Sequence, residues 1–365
     1  MLPLKPYQQD ALDTLARYLV LAGKTGAKRA FIEVTERPYH SVEGLPELPY
    51  VCIRIPTGGG KTLVACHSIA VTAQEFLRQD RALVLWLVPT NTIKEQTLRA
   101  LRDRKHPYRA ALDATLEGRV SVLDLQEALY LQRSTLDGDT TIVVFTLAAL
   151  RVENTDGRKI YDQNGSLMSH FSGLPDGLTE GLDPHEDGRP VYSLANVLRM
   201  RRPVVIVDEA HNARTDLSFD TLARFNPSCI LEFTATPAQP PRTNPSNVVY
   251  SCSADELRSD GMIKLPIHLQ THVDWRAAVG SAVKRREELE RLARAEEDAT
   301  GEYFRPIALM QAQPRRQNQE TLGVDVVSAA LVEWGFPPRA NRCRNRGDRR
   351  DRSLGEGARQ DAPGP

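Results

Sequence analysis

Residues 50–62 read Tyr50-Val51-Cys52-Ile53-Arg54-Ile55-Pro56-Thr57-Gly58-Gly59-Gly60-Lys61-Thr62. The first six are mostly β-branched and apolar, the pattern of a strand buried on both faces. Three glycines follow, and a helical pattern opens at Lys61-Thr62. A glycine-rich turn between strand and helix lets backbone N–H groups converge on phosphate oxygens, an approach that side chains would block. Thr57, Gly58, Gly59 and Gly60 are the candidate cradle. Lys61 would reach the β- and γ-phosphates of ATP, and the Thr62 hydroxyl would ligate Mg2+. The strict G-x-x-x-x-G-K-[ST] pattern is not met, because its first position is Ile55. On this stretch alone, a plain strand-to-helix turn competes with the phosphate cradle.

Further apolar runs lie at residues 82–88, 141–145, 203–207 and 229–233, and Tyr7 to Leu21 shows a helical apolar face. Continuous apolar strands alternating with helical stretches indicate an α/β fold, a parallel sheet with helices on both faces. The run at 203–207 leads into Asp208-Glu209-Ala210-His211. Acidic residues at the C-terminal end of a buried strand lie where open α/β sheets bind ligands. Asp208 would hold Mg2+, and Glu209 would orient and deprotonate an attacking water. The run at 229–233 leads into Thr234-Ala235-Thr236-Pro237, whose hydroxyls could sense the γ-phosphate; an ordinary strand-end turn reads equally well.

The whole chain sets limits on these readings. Its 365 residues suggest two domains. Hydrophobic residues at 41% against 26% charged exclude wholesale disorder. Lys+Arg and Asp+Glu both total 47, which excludes a chain-wide basic field but not a local basic groove. The run Ala82 to Val88 is far short of the ~20 residues of a membrane helix. The segment Met1 to Tyr7 has no secretory h-region. Five scattered cysteines without a C-x-x-C pair point to a reducing, cytoplasmic setting. Residues 151–200 read as a partly ordered insertion, and Trp275 to Ala299 as a charged, solvated helix with pairs such as Glu290 and Arg294. Residues 306–310 read as the first strand of a second sheet. Residues 339–365 hold eight arginines and one leucine, too little apolar surface to offset ordering, so disorder is expected there. The expected division is 1–250, an ATP-binding domain; 251–338, a connector helix and the start of an incomplete second domain; and 339–365, an Arg-rich tail.

The order of a P-loop, then D-E-A-H, then T-A-T resembles the first motor domain of superfamily 2 helicases. It is similar above all to the DEAD/DEAH-box ATPase of type III restriction enzymes, the Res subunit. Leu87-Val88-Pro89-Thr90-Asn91 resembles motif Ia, Phe145-Thr146-Leu147 motif Ib, and Pro6-Tyr7-Gln8 the glutamine motif. The resemblance implies a RecA-like P-loop domain followed by a fragment of a second RecA-like domain. It implies a DNA helicase or translocase coupling Mg·ATP hydrolysis to movement. Gln8 would read adenine, Pro89, Thr90 and Thr146 would line the nucleic-acid track, and His211, Thr234 and Thr236 would couple nucleotide state to the facing domain. Double-stranded DNA and a methyltransferase or specificity subunit are the implied partners. Thr90 and Thr92 read equally well as N-caps before Ile93.

The family's second domain supplies arginine fingers in a Q-x-x-G-R-x-x-R type motif, and none follows Met310. Such a finger contributes ~10³–10⁵ in kcat. The expectation is therefore a truncated or frameshifted reading of a longer gene that binds Mg·ATP weakly, hydrolyses it slowly and does not unwind. A regulatory ATP-binding remnant is the alternative, and a P-loop NTPase unrelated to nucleic acid a third.

Overall fold

The apolar runs pair as expected, and edge strands join them. The computed structural model describes residues 2–42, 44–150, 159–179, 181–208, 219–239, 245–262, 269–313 and 322–334. It divides into two compact units, Met1–Pro266 and Ile267–Pro365. In the first, strands β1 (Tyr50–Arg54), β2 (Leu83–Val88), β3 (Val120–Asp124), β4 (Thr140–Thr146), β5 (Val204–Asp208), β6 (Cys229–Thr234) and β7 (Val248–Ser251) form one sheet, ordered β3-β4-β2-β5-β6-β1-β7. Every pairing is parallel. β3 and β7, which the apolar runs do not announce, are its two edges.

Helices cover both faces, as a parallel sheet requires. On one face lie α1 (Pro6–Thr25), α2 (Ala27–Thr35), α3 (Lys61–Thr72), α4 (Asn91–Arg102) and α5 (Pro107–Thr115), packed on Val51, Ile53, Val84, Trp86, Ile142, Val144, Ile206 and Phe233. On the other, the short helices at Leu125–Ala128, Leu194–Arg201 and Phe219–Ala223 cover Leu85, Leu87, Val143, Phe145, Val205 and Ile230. This is the RecA-like α/β architecture expected. The stretch 159–200 contributes 3-10 turns at Gly165–Phe171 and Asp176–Leu178 before Leu194–Arg201. Buried Arg109 ties α5 to its surroundings: it pairs with Asp113 at 2.7 Å and donates to the Leu101 and Val120 carbonyls.

In a parallel sheet all C-terminal strand ends share one edge. Here that edge carries the turn after β1, Asp208 on β5, Thr234 on β6, Pro89 after β2 and Thr146 on β4.

The second unit contains the helix Trp275–Thr300, capped by Asp274 and ended by Gly301 in the left-handed region, and the helix Val324–Glu333. Glu290 pairs with both Arg286 and Arg294. The strand expected at 306–310 does not form: residues 301–313 carry no regular structure, and Ile307 and Leu309 are 89% and 95% exposed. Apolar, β-prone residues make a strand only where a neighbour completes the hydrogen bonds, and among the described residues of this unit there is no other strand. The expected tail at 339–365 lies outside the described residues. No described helix is long and apolar enough to cross a membrane.

Candidate functional site: the turn after β1

Between β1 and α3 the chain turns through Ile55 to Gly60. Gly58 and Gly60 have φ of +88° and +76°, the left-handed region where glycine is favoured. Gly59 needs glycine for space: a Cβ there would stand 2.4 Å from Ile55 Cγ2 and 2.9 Å from Leu257 Cδ2. The Gly59 N–H donates to the Pro56 carbonyl at 3.1 Å, and Gly60 accepts from Leu63 and Val64 to start α3. No side chain caps that helix. Thr57 and Gly58 are exposed, whereas Lys61 is 6% exposed.

The acidic strand end meets this turn. Thr62 Oγ1 donates to Asp208 Oδ2 at 3.3 Å, across 146 positions of sequence. Asp208 is 6% exposed and stands on the α3 face of β5, alternating with Val207 on the other face. β6 lies between β1 and β5, with Thr234 opposite Arg54 and Phe233 opposite Asp208. Thr234 is buried and its Oγ1 accepts from the Thr236 N–H at 3.2 Å, so the T-A-T turn sits between the glycine turn and the acidic strand end. Glu209 and His211 lie outside the described residues.

Gln8 and Tyr7 reach the turn from α1. The Tyr7 hydroxyl donates to the Gly59 carbonyl at 2.8 Å, and Gln8 Nε2 donates to the same oxygen at 3.0 Å. Gln8 Oε1 accepts from the Lys5 N–H, which leaves the amide 2% exposed and engaged at both ends. In this state Gln8 therefore braces the glycine turn. Burial, with Cys252 and Asp260 nearby, pushes the Tyr7 phenol up to about 12, so it remains a hydrogen donor at neutral pH.

Two neighbours were not foreseen. Tyr108 on α5 interacts with the Thr62 hydroxyl and lies within the field of Asp208; burial raises its phenol, and the Thr62 contact opposes that. Burial and the Asp208 charge raise the Cys66 thiol well above its ordinary value, which keeps it protonated. Neither residue belongs to a spaced motif, so only the packing of α3 against α5 reveals them.

Pro89, Thr90 and Thr146 form a second group on the same edge, where Val88 and Thr146 are register partners. β5 and β6 separate it from the glycine turn. Thr90 is exposed and caps α4, its Oγ1 accepting from the Ile93 N–H at 3.3 Å. Arg199 and Arg201 pair with Asp183 and Asp137, which makes them a structural charge cluster. Among the described residues no group of His, Cys, Asp or Glu has the arrangement of a metal cluster. The Thr62–Asp208 pair does fit Mg2+, a hard cation that takes a few protein oxygens and completes its shell with water and phosphate.

A family model described as type III restriction enzyme, res subunit, matches residues 1–239. No curated protein matches the chain. Among solved structures, a nuclease-deletion mutant of the Type ISP restriction-modification enzyme LlaGI, in complex with a DNA substrate mimic, is similar at 13% identity and a TM-score of 0.39. That match covers 80% of this chain and 22% of the other. The UvsW helicase from bacteriophage T4 is similar at 11% identity and a TM-score of 0.26, covering 66% of this chain and 67% of the other. At these scores neither likeness bears on fold or function.

Proposed function

From the premise that this chain belongs to the type III restriction enzyme, res subunit, family, we propose that its first unit is an Mg·ATP-binding motor domain that works on DNA. The observation that carries this reading is the 3.3 Å contact between Thr62 and Asp208 at the shared strand edge. It joins the helix start after the glycine turn to the acidic strand end, two features far apart in sequence that a nucleotide site needs together.

Each residue then has a task. The turn from Thr57 to Gly60 would present N–H groups to the phosphates, that of Gly59 only after leaving the Pro56 carbonyl, and the open space beside Gly58 keeps their path clear. Lys61 sets its ammonium against the β- and γ-phosphates. Thr62 and Asp208 would hold Mg2+, which would supply neutralisation of phosphate charge. Glu209 would orient the attacking water and accept its proton. Thr234 and Thr236 would register the γ-phosphate, and His211 would pass that state to a facing domain. Gln8 would read adenine only after exchanging one of its present partners. Pro89, Thr90 and Thr146 would meet phosphates of the DNA backbone without reading bases. A methyltransferase or specificity subunit is the further partner this assignment carries.

A second reading, nucleotide binding with slow turnover, draws on the second unit, whose described residues form no sheet. ATPase measurements with and without duplex DNA separate the two. Strong DNA-stimulated turnover, lost in Lys61→Ala, supports the motor. Mg·ATP binding lost in Lys61→Ala, with turnover lower by ~10³ as for a missing arginine finger, supports the second reading. No Lys61-dependent Mg·ATP binding at all would refute both.

A further inference from the structure

A carboxylate lies inside the sheet where the mechanism above has no use for it. Glu232 is the fourth residue of β6 and is 1% exposed. It stands between Cys52 of β1 and Val207 of β5, two residues behind Thr234 and on the same face. Burying a carboxylate is costly unless hydrogen bonds compensate. Two hydroxyls do so here: Tyr50 donates to Oε2 at 2.7 Å, and Ser246 donates to Oε1 at 3.2 Å.

Both donors lead to segments around the site. Ser246 Oγ also accepts from the Ala238 N–H at 2.9 Å, and the Ser246 N–H returns to the Ala238 carbonyl at 3.0 Å. Ala238 and Ser246 thereby close the base of the segment that leaves Thr236. Tyr50 opens β1, the strand that delivers the glycine turn, and its ring meets Phe219 edge-on at 5.2 Å. Asn247 secures the next position, donating to the Tyr50 and His40 carbonyls and accepting from the His40 N–H.

We propose that Glu232 is a positioning residue that holds the T-A-T turn in register with β1, by tying the paired Ala238 and Ser246 to Tyr50. The coupling role of that turn rests on the function proposed above; the tether does not. Glutamine at 232 keeps the shape but replaces one acceptor oxygen by an NH2 donor, so the hydroxyl that donates to that oxygen can no longer do so there.

Amide hydrogen exchange on the full chain tests this. In Glu232→Gln, exchange of the Thr236, Ala238 and Ser246 amides should rise about tenfold, the size of one lost buried hydrogen bond, while 55–62 keeps its rate. Mg·AMP-PNP should slow exchange across 55–62 in both proteins, but at those three amides only in the wild type. Ser246→Ala, which removes only the hydroxyl, carries the same expectation should the first variant fold poorly. Unchanged exchange at the three amides, or equal acceleration across 55–62, would overturn the proposal. If Mg·AMP-PNP slows nothing in the wild type, the nucleotide reading fails, and the ligand-free comparison still decides the role of Glu232.

Discussion

Gly59 shows how a single atom controls the site. Its missing Cβ leaves room for Ile55 and Leu257, so Gly59→Ala overpacks the turn. The expected loss is ~1–3 kcal/mol, typical of an added methyl in a filled space, and urea unfolding would measure it. Gly58 differs: nothing stands within 4 Å of its would-be Cβ, but its φ is +88°. Gly58→Ala should cost ~1–2 kcal/mol through backbone conformation alone. His67 and His170 give the residue scale a pH dependence. Burial holds both imidazoles below their ordinary value of 6.5. The folded protein keeps them neutral, whereas the unfolded chain takes up protons below 6.5. Stability is therefore fully present above that value and is lost as pH falls from it toward the folded values. Urea midpoints on either side of 6.5 should show the decline, and His67→Leu should reduce it. At this scale the sequence was legible where chemistry repeats a spacing, as in Gly58 to Thr62 and Asp208. Glu232 goes unread there, because 229–233 reads whole as an apolar run and its one carboxylate finds its partners only in the fold. Tyr108 carried no signal, because nothing along the chain tells which helix α3 will meet.

Among the elements, the central strands were plain and the edges were not. β2, β4, β5 and β6 are covered on both faces, so each is dominated by a continuous apolar stretch, with Glu232 the one charged residue inside β6. β3 and β7 each have one neighbour and partly exposed residues, which dilutes the pattern. The run at 306–310 shows the converse, strand-like residues without a sheet to join. Helix starts depend on single polar atoms. Thr90→Ala removes the hydroxyl that receives the Ile93 N–H, and the expected cost is ~1 kcal/mol. Thr90→Ser should restore most of it, with thermal denaturation as the measurement. Thr90 can cap α4 and still present its exposed side to a phosphate, so the two sequence readings are compatible.

For the molecule as a whole, both hydrophobic cores lie within the first unit, from Leu4 to Met262. A chain of residues 1–266 should therefore unfold cooperatively with a melting temperature close to that of the full chain. Calorimetry would show this, and a broad, non-cooperative transition would contradict it. Any Mg·ATP binding by the full chain, as proposed above, should persist in this fragment, because the described hydrogen bonds and close packing of the glycine turn come from residues 5–257. The two-domain expectation came from length and from the run after the charged helix. Length says nothing of how much regular structure the second unit holds.

The brace from α1 has a practical consequence. Tyr7 and Gln8 converge on one carbonyl of the glycine turn. A preparation that has lost residues 1–8 would lose that support with Lys61, Thr62 and Asp208 all still present. Intact mass should be checked before such material is declared inert.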